Sequence, residues 1–137
     1  MGADLYIDTL YQPHHKKWKR KFDKAVKRRD GLAEVEAAYS KMHERGYFRD
    51  PYNNNNPLWK FGLSWWDDVI PMLDAERDLS PAQAKKLLSI LKENQIFEMS
   101  LKKLSPDERK YYLDRYADLQ KFLNQAIELG EPIQASL

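Results

Sequence analysis

The chain has 137 residues, with 23 Lys and Arg against 21 Asp and Glu for a formal charge of +2, and it contains no cysteine. A chain of this length buries roughly two-thirds of the surface its unfolded form exposes, so one domain over residues 1–137 is expected, and the lack of cysteine excludes disulfides, thiolate zinc sites, iron–sulfur clusters and thiol catalysis. With 42% hydrophobic and 32% charged residues and no long apolar run, the composition argues against a membrane span, and the absence of a basic, apolar leader at Met1 to Asp8 predicts a cytoplasmic protein.

Residues 1–12 read as an extended arm. Asp4-Leu5-Tyr6-Ile7-Asp8-Thr9-Leu10-Tyr11 has strand-like composition, but only Tyr47-Phe48 offers a partner, and a lone strand leaves its amides unpaired. Packing over the bundle or pairing with a second chain would serve it equally. Two helices are predicted over 13–46. The first runs from Pro13 to Arg29 with the apolar stripe Trp18, Phe22, Ala25 and Val26 and a stop at Asp30-Gly31; the second carries Leu32, Val35, Ala38, Tyr39 and Met42 and ends at Gly46. Residues 47–63 lose periodicity at Asp50-Pro51, the Asn53 to Asn56 run and Pro57, and are predicted to form a long aromatic, Asn-rich loop.

From 64 to 137 the pattern predicts a short helix and a helical hairpin. Ser64 and Asp67 have capping-box spacing before a helix to about Asp74, with Pro71 expected to kink or break it. Ser80-Pro81-Ala82-Gln83 and Ser105-Pro106-Asp107-Glu108 are capping boxes with proline at the first helical position. Ala84, Leu87 and Leu91 start one stripe, which Phe97, Leu101 and Leu104 extend across Asn94-Gln95, so that one helix could run to Lys103. Tyr112, Tyr116, Leu119, Leu123 and Ala126 form the other, which Gly130 and Pro132 end. The expected fold is therefore all-α: a compact bundle of about five helices with a C-terminal antiparallel helical hairpin, an aromatic-rich central loop and an extended N-terminal arm.

Familiar chemistries fail on spacing. Glycines at 2, 31, 46, 62 and 130 are too scattered for a dinucleotide fingerprint or a P-loop. Asp74, Glu76, Asp78 and Ser80 match the early positions of a calcium loop, but Leu79 replaces its glycine and Lys85 its bidentate glutamate, so a solvated turn is expected. His14, His15 and His43 are too few for a histidine-rich metal site, and no metal or cofactor is expected. His43, Tyr52, Asp67 and Asp68 are the polar groups whose convergence would mark an enzyme.

Two features point to binding. Residues 13–30 hold nine Lys and Arg against two Asp, a local +7 that leaves −5 for the rest of the chain. Lys16, Lys17, Arg20, Lys21, Lys24, Lys27 and Arg28 form a basic surface suited to phosphates or to an acidic partner. Around the central loop stand Tyr47, Phe48, Tyr52, Trp59, Trp65 and Trp66, residue types that anchor protein interfaces. These features predict a non-enzymatic protein-interaction module, an accessory, adaptor or inhibitory subunit, whose partner is another protein or a second copy of the chain. The alternative is nucleic-acid binding through helix 16–29, and a small enzyme or ligand-binding bundle comes third.

Overall fold

A computed structural model describes residues 2–51 and 57–136. It replaces the expected all-α bundle with a mixed α/β fold. Helices predominate, but they are organised around a four-stranded antiparallel sheet of order β2-β1-β4-β3. The strands are β1 (Gly2–Tyr6), β2 (Tyr47–Pro51), β3 (Asp78–Leu79) and β4 (Ile133–Ser136). The expected arm is thus an interior strand. Tyr6 and Leu5 pair with Tyr47 and Phe48, the partner its composition allowed, while Leu5 and Tyr6 pair on the other side with Ala135 and Gln134. β4 supplies the second row of hydrogen-bond partners that an isolated hairpin lacks. Alternation sets the faces: Ala3, Leu5, Phe48, Ile133 and Ala135 are buried in the main core, and Asp4, Tyr6 and Tyr47 turn to the opposite face.

The predicted loop 47–63 is likewise corrected. Its first five residues are β2, and Pro57–Lys60 form a one-turn helix α3. Tyr52 and Asn53 to Asn56 lie outside the described residues. Helix α1 (Asp8–Lys27) begins five residues before Pro13, leaving that proline inside the helix, and it ends with Arg29 in the left-handed conformation (φ 57°), not at Gly31. Helix α2 (Leu32–Met42) packs on α1. From this pair only Leu10 of α1 packs against the main core, which is otherwise built from the sheet, from α3, from the π-helical turn Trp65–Val69, and from helices α4 (Pro81–Glu93), α5 (Ile96–Leu101) and α6 (Pro106–Leu129).

Of the capping boxes predicted at Ser80 and Ser105, the serine half forms: Ser80 Oγ accepts from the Gln83 amide and Ser105 Oγ from the Glu108 amide, whereas Gln83 Oε1 finds no partner among the described residues and Glu108 Oε1 accepts from the Ser105 hydroxyl. At Ser64 the hydroxyl accepts from the Asp67 amide, but the reciprocal bond to the Ser64 amide goes to the Asp68 carboxylate. The π-helical turn explains the shift, because its wider ring moves the returning acid one residue along. A short 3-10 segment, Ile70–Met72, carries Pro71. The stripe from Ala84 to Leu104 is two helices. Asn94 adopts an extended conformation, donates from Nδ2 to the Gly62 carbonyl and accepts the Ile96 amide at Oδ1, which ends α4 and caps α5. The long packed pair is therefore α4 with α6, joined through α5.

Gly46 fixes how α2 enters β2. At φ +63° its missing Cβ would lie 2.8 Å from Leu10 Cβ and 2.9 Å from both the Ile7 carbonyl oxygen and the Tyr11 nitrogen. Gly130 has nearly the same φ, +65°, with nothing within 4 Å. Gly46→Ala is expected to lose more than about 2 kcal/mol in urea unfolding, because it adds a backbone clash to conformational strain. Gly130→Ala should lose roughly 1 kcal/mol from strain alone; equal losses would show that the Gly46 contacts relax.

Candidate functional site

Asp50 connects the elements that carry the exposed aromatic residues Trp59 and Trp66. It sits on the core face of β2, is 0% exposed, and is the buried charged residue of the described core. Its Oδ2 accepts the Trp65 indole N–H at 2.6 Å and the Leu58 amide at 3.3 Å, joining β2 to α3 and to the π-helical turn. Oδ1 is buried with no hydrogen-bond partner among the described residues. Burial pushes the carboxyl up to about 6, against the lowering effect of the Trp65 and Leu58 hydrogen bonds and the Arg115 charge.

The aromatic residues singled out in the sequence separate into three groups. Trp65 is buried and belongs to the Asp50 clamp. Trp59, on α3, and Trp66, on the π-helical turn, are 70% and 78% exposed. Trp59 lines a cleft of about 270 Å³ together with Gly62, Leu63, Asp68, Ile96 and Ser100. Ile96 and Met99, one helical turn apart on α5, are exposed beside it. Tyr47 and Phe48 lie elsewhere, on a cleft of about 760 Å³ between β2 and α6 whose lining includes Arg45, Arg49, Arg115 and Lys121. Arg115 is held over the Phe48 ring at 4.4 Å, donates to the Arg49 carbonyl and pairs with Asp118 at 3.2 Å.

On the other face of the sheet, a group of rings joins the α1–α2 pair to β1 and β2, and sequence spacing does not reveal it. Tyr11 packs against Tyr6, His15 and Tyr47, with centroids 4.8, 4.9 and 5.7 Å apart, and His43 lies 5.0 Å from Tyr47 and 5.8 Å from His15. Tyr47 donates to Asp4 at 2.6 Å, and Arg49 pairs with the same carboxylate at 2.9 Å. Desolvation, followed by the nearby His15, lowers the His43 pKa, and desolvation and the Asp4 hydrogen bond raise that of Tyr47. These shifts favour neutral rings, which suits their packing between the α1–α2 pair and the sheet. His14 contributes differently, with Nε2 on the Lys41 carbonyl at 2.6 Å. The groups considered for catalysis are dispersed: His43 lines the β2–α6 cleft, Asp68 lines the smaller one, and Tyr52 is outside the described residues.

Lys16, Lys17, Arg20, Lys21, Lys24, Lys27 and Arg28 are all exposed along α1 and its C-terminus. Among the described residues no ion pair engages them, although Lys21 Nζ lies 4.1 Å from the Trp18 ring. The carboxylates of Asp74, Glu76 and Asp78 approach within 4.8 Å of one another. Asp74 Oδ1 already accepts the amides of Glu76 and Asp78, so this acid builds the turn before β3. No described helix is long and apolar enough to cross a membrane.

The raised Asp50 pKa makes this residue's contribution to stability fall with rising pH. The folded chain holds this proton more tightly than the unfolded chain, whose carboxyl titrates near 3.8, so the contribution of Asp50 to stability is fully present below about pH 4 and is lost as pH rises through about 6. The difference corresponds to roughly 3 kcal/mol. Asp50→Asn retains an acceptor for Trp65 and Leu58 and removes the titration, so its urea-unfolding free energy should gain on the native chain between pH 4 and pH 7. Parallel profiles would refute the assignment. No family model matches the chain, and neither a curated protein nor a solved structure proves similar to it.

Proposed function

We propose that the protein is a non-enzymatic interaction module that binds another protein through the face carrying Trp59 and Trp66. The observation that carries this reading is the exposure of two tryptophans, 70% and 78%, one of which, Trp59, shares a cleft with the exposed Ile96. A small fold gains most by burying such rings, and large aromatic side chains left exposed are the residue type that anchors protein interfaces. The supporting elements are rigid: α3 is tied through Leu58 to Asp50, and the turn bearing Trp66 is fixed by the neighbouring Trp65 and by the Ser64 cap. A preordered anchor loses little side-chain freedom on binding.

Capture from native lysate on the immobilised chain, with nuclease present, tests this. Trp66→Ala should weaken recovery of a stoichiometric protein partner by about 30-fold, the effect of a 2 kcal/mol interface anchor, while its unfolding free energy stays within about 0.5 kcal/mol of the native chain. Trp65→Ala should behave oppositely and lose about 3 kcal/mol or more of stability, because it empties a core position and leaves Asp50 without its indole donor. Loss of stability in Trp66→Ala would assign that ring to holding the fold together.

A specific observation favours a second reading, nucleic-acid binding through α1: its cations have no ion-pair partners among the described residues. Lys17, Lys21, Lys24 and Arg28 succeed one another at spacings of three and four, so they share one side of the helix over roughly 17 Å. Binding to a duplex or single-stranded oligonucleotide should weaken steeply with salt, and Lys17, Lys21 and Lys24 changed together to Glu should abolish it.

A further inference from the structure

We propose that the outer edge of β2, where it faces α6, receives an extended acidic segment of a partner protein as a fifth strand of the sheet. This goes beyond the tryptophan face and is independent of it. β2 is an edge strand. The Gly46 carbonyl accepts from Ile7 on the β1 side, whereas the Arg49 carbonyl accepts from Arg115 on α6, so the direction alternates along β2. In an antiparallel strand the N–H and C=O of one residue point the same way and alternate residues share an edge. The N–H groups of Tyr47 and Arg49 and the Tyr47 carbonyl therefore face outward into the cleft, and none of the described side-chain or inter-element hydrogen bonds engages them.

The opposite wall is one face of α6: Arg115, Asp118, Phe122 and Gln125 recur at spacings of three and four. An open strand edge facing a cleft is the geometry in which peptides bind by strand addition, with main-chain bonds giving affinity and alternate side chains giving selectivity. The volume, about 760 Å³, lies within the roughly 300–1,000 Å³ of sites that enclose a ligand.

Charge selects the occupant. Four cations, Arg45, Arg49, Arg115 and Lys121, line the cleft against Glu44 and Asp118. Lys41 already pairs with Glu44, and Arg45 and Lys121 have no ion pair among the described residues. Arg115 occupies the place of an incoming donor. A peptide N–H that takes the Arg49 carbonyl frees the Arg115 guanidinium for an acidic side chain of the same peptide. An acidic strand thus replaces the bond it displaces, and a basic one does not.

The test uses fluorescein-labelled peptides of about eight residues, long enough to span β2, with Glu and Val alternating, or Lys and Val alternating, read by anisotropy on the full chain. Binding of the Glu peptide with at least about tenfold preference over the Lys peptide is expected. N-methylation of every second residue should abolish binding in one phase and spare it in the other, since only alternate amides face β2. Arg49→Pro, which removes an outward amide that an edge strand can lose, should weaken binding about tenfold more than Arg49→Gln. The methylated peptides act on the native chain, so their result stands even if the proline variant unfolds. No binding by the Glu peptide, equal binding of both methylated phases, or competition governed by charge alone from an oligonucleotide would overturn the proposal. Failure here leaves capture through Trp66 unaffected, because that test reads a different surface.

Discussion

A carboxylate with no exposed surface must be compensated where it stands, and at Asp50 the compensation organises the middle of the chain. Stripped of water, its charge is tolerable only if donors converge on it. The Trp65 indole and the Leu58 amide do so, and in reaching the same oxygen they draw α3 and the π-helical turn onto β2. Everything exposed nearby is positioned by that convergence: Trp59 follows Leu58, and Trp66 follows Trp65. The compensation is partial, since the second oxygen has no partner among the described residues and burial still raises the pKa. The fold thus retains a strained acid at the point that orients its most exposed aromatic rings.

The charge separation has a structural counterpart. The local +7 of residues 13–30 falls on α1 and the turn that follows it, and apart from Leu10 the α1–α2 pair stands outside the main core. Their attachment to the sheet is a set of stacked rings around Tyr11, His43 and Tyr47, reinforced by Asp4. Self-repulsion among the lysines and arginines is therefore kept away from the elements that supply most of the buried surface. Such a layer can present charge without the cation clusters having to be neutralised within the fold.

The helices were largely legible because their signals are local. Ser80, Ser105 and the apolar positions of α4 and α6 lie within a few residues of what they control. The sheet was not, because its pairings join residues far apart: Asp4 meets Arg49 on one side and Ser136 on the other. Strand composition was visible in Asp4 to Tyr11, and Tyr47-Phe48 was the correct neighbour, but four residues at Ile133 to Ser136 are too short for periodicity to separate from a tail. The candidate surfaces were half legible. Exposure of Trp66 and burial of Trp65 cannot be read from adjacent identical residues; a π-helical turn decides which faces inward. The cleft between β2 and α6 was invisible once β2 had been taken for loop.

The pairing of β1 with β4 also dictates an order of events. The interior strand near the start of the chain lacks one of its two neighbours until Ile133 to Ser136 have been made and brought back to it. Closing so long a loop is entropically slow, and local helices do not wait for it. During synthesis α1 and α2 can form while β1 has only β2 beside it, and the second edge of β1 stays open until Ile133 to Ser136 have been added and folded back. Until then a nascent chain displays an unpaired strand to its neighbours on the same messenger, and the short β4 is what ends that exposure.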